Sequence, residues 1–429
     1  MIYSAQLSAR FSYIASILLG DNLLLTTSQE DFLSFKGVTI NYSAEKLGND
    51  SIWIVPNGLL EEQGISGREI SCSEWKRMKI FFQTKGELPF DIFAASFYLL
   101  SRYEEYLPHK PDRYGRFSHT ESLAFKEGFL HVPLVNLWMR SFEQYISGRF
   151  PSVPFRLAKP GFRFVPTYDI DIAFSYRDQP VWKNVLGFFK GLLSGNFESV
   201  TEKSYVYSGK KKDPFDVYDW LDGLHVGRKL EPVYFFLLAE KRGEYDKNIS
   251  PHKKSMRQLI KRSAEKYATG IHPSWQSGDD EKKLEKEIGI LEKIDGKEVA
   301  ISRQHYIRMR LPDTYRKLKG KGIGHDYSMG YGSINGFRAS YAAPYNWYDL
   351  LAEEQTSLTL HPFCFMDSNS IFQQREHAYE AAKELQDYLD VTRSVNGEMI
   401  SIFHNYFLAE QEEWVEWRSM YENFLEKNF

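Results

Sequence analysis

Pro232–Ala239 reads PVYFFLLA, eight residues without a charge. A run this short and this uniformly apolar fits a strand covered on both faces, the signature of a parallel sheet packed between helices. The chain around it has the alternation such a sheet requires. A strand is expected over 162–168, a helix near 214–229, and the apolar strand at 232–239. Helices at about 251–267 and 279–294 then lead to strands at 268–272 and 297–305. A helix at about 313–320 precedes short strands near 322–327 and 335–339. The series closes with a strand at 357–365, a helix at about 374–391, a strand at 399–404 and a helix from about 410. This many strand–helix units imply an α/β fold closed into a barrel or near-barrel.

Residues 1–155 lack that rhythm. Short β-rich pieces (LLLTTS, VTINYS, SIWIVP) are punctuated by Asn, Asp and Gly, and the clearest helices are Asp91–Tyr106 and Asn136–Tyr145. Pro151, Pro154 and Pro160 mark a boundary. A chain of 429 residues exceeds what one small core organises, so two domains are expected, an α+β unit over 1–155 and the barrel over 156–429. Arg102, Glu104, Glu105, Asp112, Arg113 and Arg116 form an ionic cluster in the first unit. Such clusters are more often solvated faces or internal ion-pair networks than recognition surfaces.

Ionisable residues fall at the ends of the expected strands. Asp169 and Asp171 end the strand in GFRFVPTYDIDIAFSY, and the two-residue period of a strand turns both to one side. Two like charges held together are costly, so the pair suggests a metal or acid/base site. His272, His305, Arg338, His361 and His404 end five further strands. Each taken singly is an ordinary capping or packing residue. Together they would converge on the face of the sheet where α/β folds bind ligands.

A net charge of −3 gives no reason to expect a nucleic-acid partner. Cys72 and Cys364 are too distant in sequence for a metal knuckle and read as free thiols of a reducing compartment. No stretch has the form of a secretory signal or the length of a membrane span, so a cytoplasmic location is expected. Pro180–Ser194 (PVWKNVLGFFKGLLS) has helical amphipathicity with Lys183 and Lys190 on the polar side. Packing against the barrel is its commonest fate; a lid or a membrane-surface contact are the alternatives.

Across roughly 160–429 the order of these residues resembles the NodB-type polysaccharide deacetylases of carbohydrate esterase family 4. The resemblance implies a distorted (β/α) barrel that removes acetyl groups from N-acetylated sugars with a divalent metal. It makes Asp169 the general base and Asp171 a metal ligand in Thr167-Tyr168-Asp169-Ile170-Asp171. His272, in His272-Pro273-Ser274-Trp275-Gln276, matches the first of the family's two metal-binding histidines, and Gln276 stands where the second belongs. Gly336-Phe337-Arg338-Ala339-Ser340 resembles the motif whose Arg orients the base, and Ile402-Phe403-His404-Asn405 the strand ending in the general-acid His. The N-terminal part looks like an accessory domain of a Bacteroidetes-like subgroup.

The departure at Gln276 leaves the ligand set short by one. A neutral amide is a poor substitute for imidazole on zinc, so His305 is the preferred third ligand over Gln276, with nickel or cobalt as alternatives to zinc. Trp275, Gln276, Tyr331 and His361 are the candidate substrate contacts, facing a carbohydrate or glycan. Two other readings remain: a barrel that binds glycan without turning it over, which Gln276 favours, and a hydrolase of another small amide.

Overall fold

The structure is a computed structural model that describes residues 1–20, 22–48, 50–157, 161–179 and 197–429. The segment Pro180–Ser194 lies outside the described residues. No helix among the described residues is long and apolar enough to cross a membrane.

The N-terminal part opens on a four-stranded, all-parallel sheet. It contains β1 (Ile2–Ser4), β2 (Leu25–Thr26), β3 (Ile40–Tyr42) and β4 (Ile52–Ile54), in the order β2-β1-β3-β4. A separate antiparallel pair joins β5 (Ser73–Trp75) to β6 (Met78–Ile80). The helix Ile92–Leu100 is buried at every residue, and Asp91 caps it by accepting from the Ala94 amide. It stops at Arg102, whose backbone is left-handed (φ 55°), and a 3₁₀ turn, Tyr103–Tyr106, then carries Glu104 and Glu105 inward. The ionic cluster around Arg102 is therefore in part an internal network.

The C-terminal part is built on nine strands. They are β7 (Arg163–Ile170), β8 (Val233–Leu237), β9 (Ala268–His272), β10 (Ile301–Ser302), β11 (His325–Asp326), β12 (Tyr345–Asp349), β13 (Glu354–Leu360), β14 (Phe365–Met366) and β15 (Glu398–His404). Their order is β12-β13-β11-β10-β9-β8-β7-β15-β14, and every neighbour pair but β12–β13 is parallel. β8 falls within the PVYFFLLA run and is buried at all five positions. Helices return the chain between parallel strands. The helix Lys254–Ala264 buries Met256, Leu259 and Ile260 against the sheet and turns its basic residues outward. The helix Glu281–Asp295 is started by the Asp280 carboxylate and ended by Gly296 (φ 82°).

Gly270 lets β9 lie between its neighbours. A Cβ there would come within 2.8 Å of the Phe235 ring and 2.9 Å of the Ile301 carbonyl oxygen. That close approach fixes where β9 delivers its last residue, His272.

Two expectations are corrected. Residues 335–339 form no strand: Gly336 has φ 139°, and the amides of Gly336 and Phe337 donate to the carbonyls of Cys364 and Leu130. The strand expected at 357–365 ends at Leu360 and has an antiparallel partner, β12, which the sequence reading lacked. The turn between them is made by Leu350–Glu353, with Glu353 at φ 53°, and carries none of the Asn-Gly or Asp-Gly signals of a hairpin.

One continuous buried core runs from Ile2 to Leu425 and includes residues of both parts. Polar contacts cross it as well: Tyr13 Oη donates to the Asn346 carbonyl, Val135 N to the Ser340 carbonyl, and the Arg10 guanidinium pairs with Glu353.

Candidate functional site

The C-terminal ends of β7, β9, β10 and β15 meet at a cleft of about 270 Å³. Asp169, Asp171, His272, His305, Tyr306, His404 and Tyr406 line it from these ends, and Tyr114 and Arg116 line it from the N-terminal part. The volume is at the small end for a small-molecule site.

Asp171 is the hub. Its Oδ1 is 3.2 Å from His272 Nε2, and its Oδ2 is 3.4 Å from His305 Nε2 and 3.5 Å from His404 Nε2. Asp171, His272 and His305 each offer one ligand atom, all within 4.8 Å of one another. Each of these two histidines has its far nitrogen held. His272 Nδ1 is 2.6 Å from the Arg303 carbonyl oxygen, so Nδ1 carries the hydrogen. His305 Nδ1 is 3.0 Å from Asp246 Oδ1. Both Nε2 atoms therefore face Asp171, in the arrangement by which outer-sphere partners orient metal-binding imidazoles. Asp171 Oδ1 is buried and, apart from the 3.2 Å approach of His272 Nε2, has no hydrogen-bond partner among the described residues, as suits an atom whose partner is an ion. A carboxylate and two imidazoles fit a catalytic zinc site with open positions.

Burial and neighbouring charge act against each other in this cluster. Burial opposes charge on Asp171, but His305 and His272 hold its pKa well below the usual carboxylate range. Burial also opposes charge on His305, which Asp171 and Asp246 overcome, raising its pKa to about 9.

Asp169 is buried (2% exposed), and its Oδ1 accepts from Arg303 Nη1 at 2.9 Å. The same Nη1 is 2.7 Å from Thr167 Oγ1. His272 Nε2 is 3.6 Å from Asp169 Oδ2. His404, the last residue of β15, donates from Nδ1 to Asp367 Oδ1 at 2.6 Å, while its amide donates to Asp367 Oδ2, also at 2.6 Å. Burial again opposes the His404 charge, but Asp367, Asp171 and Asp169 raise its pKa to about 9.

Of the residues singled out from sequence, Asp169, Asp171, His272, His305 and His404 meet in this cleft. The other candidate site residues, Arg338, Gln276, Trp275, Tyr331 and His361, do not line it. Arg338, expected to orient Asp169, pairs with Glu105 through Nε (2.8 Å) and Nη2 (2.5 Å) and donates to the Gly330 carbonyl. The loop that replaces the expected strand carries it away from β7, and Arg303 stands beside Asp169 instead. Gln276 is exposed, with its Oε1 accepting from Lys283, because the turn after β9 points it outward. Trp275 is stacked on Tyr245 (centroids 4.0 Å apart) with the Arg308 guanidinium 4.4 Å from its ring centroid. Tyr331 is buried beside Arg102 and Arg338, its hydroxyl accepting from Arg102. His361 meets His325, stacks on Tyr327 and lies 3.5 Å from Glu398, which opens β15 at the end opposite His404.

Arg303, Asp246 and Asp367 escaped the sequence reading. Arg303 sits in Ser302-Arg303-Gln304-His305, two residues before a singled-out histidine, and is the one with a local signal. Asp246 lies in a loop and Asp367 opens a helical turn directly after β14, and the local sequence of neither names a partner.

The turn after His305 is unusual. Tyr306 (φ 59°) and Ile307 (φ 53°) both adopt left-handed backbone, which for a β-branched residue is a genuine outlier. Such residues cost on the order of 1–3 kcal/mol each and persist where the surroundings hold them.

Residues 1–151 match a family model described as a family of unknown function, DUF7033. No curated protein matches the chain. Among solved structures, the chain is similar to a protein described as a polysaccharide deacetylase from Mycobacterium smegmatis, at 15% identity and a TM-score of 0.40, over 64% of this chain and 87% of that one. The polysaccharide deacetylase Bc1974 from Bacillus cereus matches at 11% identity and a TM-score of 0.31, over 62% and 88%. IcaB from Ammonifex degensii matches at 14% identity and a TM-score of 0.24, over 40% and 85%.

Proposed function

We propose that this chain is a metal-dependent deacetylase that hydrolyses the acetamide of an N-acetylated sugar or cell-envelope polysaccharide, on a sheet curled into a distorted (β/α) barrel. One observation carries the reading: the donor set Asp171, His272 and His305 shares a cleft with two separately supported proton-transfer groups, Asp169 beside Arg303 and His404 beside Asp367. The curl is supported by the short link between β13 and β14: four residues separate Leu360 from Phe365, although the two strands stand near opposite ends of the strand order.

Asp171, His272 and His305 would hold the ion, zinc first and nickel or cobalt as alternatives. When bound, the ion supplies polarisation of the acetamide carbonyl and acidifies the attacking water. Asp169 accepts the proton from that water, and Arg303 holds its carboxylate in place through the hydrogen bond to Oδ1. An amine is a poor leaving group unless protonated. His404, held in its charged form by Asp367, is placed to donate that proton from Nε2. Tyr114, Tyr245, Tyr306 and Tyr406 give the cleft rings against which a sugar can lie. An inert glycan binder was favoured by Gln276, and His305 supplies the imidazole that Gln276 does not.

Elemental analysis and acetate release from acetylated chito-oligosaccharides test the proposal. Near-stoichiometric metal, lost in Asp171→Ala and His272→Ala, is expected, with acetate release abolished in Asp169→Asn while its metal is retained. Absence of metal after dialysis against zinc, nickel or cobalt would overturn it. Metal without acetate release from any acetylated glycan would move the reading to another amide or to glycan binding.

A further inference from the structure

We infer that the Pro111–Phe117 hairpin of the N-terminal part belongs to the metal centre, with Arg116 the residue that positions His305 for metal binding. The inference rests on the reading of Asp171, His272 and His305 as metal ligands.

His305 is followed by the two left-handed residues Tyr306 and Ile307, so its ring direction depends on a turn that the chain does not adopt by preference. The turn's own amide bonds are local: Ile307 N donates to the Gln304 carbonyl and Arg308 N to the His305 carbonyl. The Tyr306 carbonyl is held from outside the sheet. It accepts from Arg116 Nη1 at 2.5 Å, across 190 positions of sequence.

Arg116 is itself fixed before it reaches the turn. Its Nε donates to Asp112 Oδ2 at 2.7 Å, and Asp112 Oδ1 accepts from the amides of Tyr114 and Arg116. A bridge between Pro111 and Phe117 closes the hairpin. The side chain is 5% exposed. On its other side is Gly332, where a Cβ would fall 2.1 Å from Arg116 Nη1 and 2.8 Å from the Tyr306 carbonyl oxygen. The space around this one hydrogen bond thus admits no side chain.

His305 is held at two points. Asp246 fixes the ring through Nδ1, and Arg116 fixes the backbone one residue on. Arg116 makes no hydrogen bond or ion pair with Asp171, His272 or His305. It acts through the turn, as a positioning residue. Loss of such outer partners typically weakens metal binding by about 10–100-fold.

Arg116→Met removes the donor from the N-terminal side, and Gly332→Ala displaces it from the other. Both are made in the full chain and titrated with zinc against a chromophoric chelator. Thermal unfolding and amide hydrogen exchange over 304–309 are measured on the metal-free proteins. The expected result is zinc affinity weakened at least about tenfold in both variants, with faster exchange at Ile307 and Arg308 and a cooperative unfolding transition retained at a lowered midpoint. Arg116→Lys, which keeps a donor but not the fork, is expected to fall between. Wild-type zinc affinity in either folded variant, or unaltered exchange at the turn, would overturn the inference. No zinc in the wild type would instead overturn the reading of the site itself, and this inference with it.

Discussion

Arg303 Nη1 lies 2.9 Å from Asp169 Oδ1, and the guanidinium is wholly buried. It reaches Asp169 from the loop after β10, and Phe235 lies beneath it with 4.3 Å between guanidinium and ring centroid. The same Nη1 also meets Thr167 Oγ1, so the carboxylate is held in one orientation.

Arg303 and Arg338 should therefore separate by experiment. Arg303→Lys is expected to lower kcat by about 10²-fold or more, the scale of a misplaced general base, with metal content unchanged. Arg338→Met is expected to destabilise the protein by about 3–5 kcal/mol, because it leaves Arg102 alone to balance the buried carboxylates of Glu104 and Glu105. Denaturant unfolding and acetate-release kinetics on both variants check the pair.

Gln276→His would place two histidines four residues apart, at 272 and 276. The side chain at 276 is exposed and bonded to Lys283, so no fourth ligand is gained. Zinc affinity is expected to stay within about twofold of wild type, since the imidazole adds no coordinating atom. A chelator competition titration decides it; a tenfold gain would mean that the turn after β9 reorganises around metal.

Asp246 and Asp367 support different functions and should fail differently. Asp246→Asn weakens the hold on His305 and is expected to cut metal affinity about tenfold. Asp367→Asn leaves the donor set intact and removes the charge that keeps His404 protonated. Its expected signature is full metal content with kcat reduced by about 10²-fold, and an alkaline limb displaced to lower pH.

The metal-free protein should lose stability on mild alkalinisation. His305 and His404 have folded pKa values of about 9 against an ordinary 6.5. A raised pKa contributes stability that is full below 6.5 and is lost as pH rises towards 9. Because both histidines share Asp171, their contributions overlap, and a loss of roughly 2–4 kcal/mol in total is expected. Thermal unfolding of the metal-free protein from pH 6 to 9 measures it. Zinc binding near pH 7.5 should release about one proton, from His305, which calorimetry in buffers of different ionisation enthalpy would detect.

Period and burial made much of the C-terminal part readable. PVYFFLLA fixed a covered strand, and the two-residue spacing of Asp169 and Asp171 put both at one strand end. His272, His305 and His404 followed because each closes or follows a strand of the same parallel series. Arg338 misled because its short motif sits in a loop pinned by long-range bonds that no local pattern encodes. Tyr331 failed for a related reason, being drawn inward by Arg102 from 229 positions away. Asp246 and Asp367 lack any periodic setting; only the folded chain brings them to an imidazole.

The ion pair between Glu105 and Arg338 has a consequence for how such chains can vary. Arg102 pairs with Glu104 and Glu105, so losing Arg338 leaves one guanidinium against two buried carboxylates, and losing Glu105 leaves Arg338 uncompensated; a change at one position favours a matching change at the other. Positions 105 and 338 should drift together across descendants, arriving as an acid–base couple or as two apolar residues. Recombination that swaps the first third of one chain onto the rest of another would succeed chiefly between parents that agree at this couple.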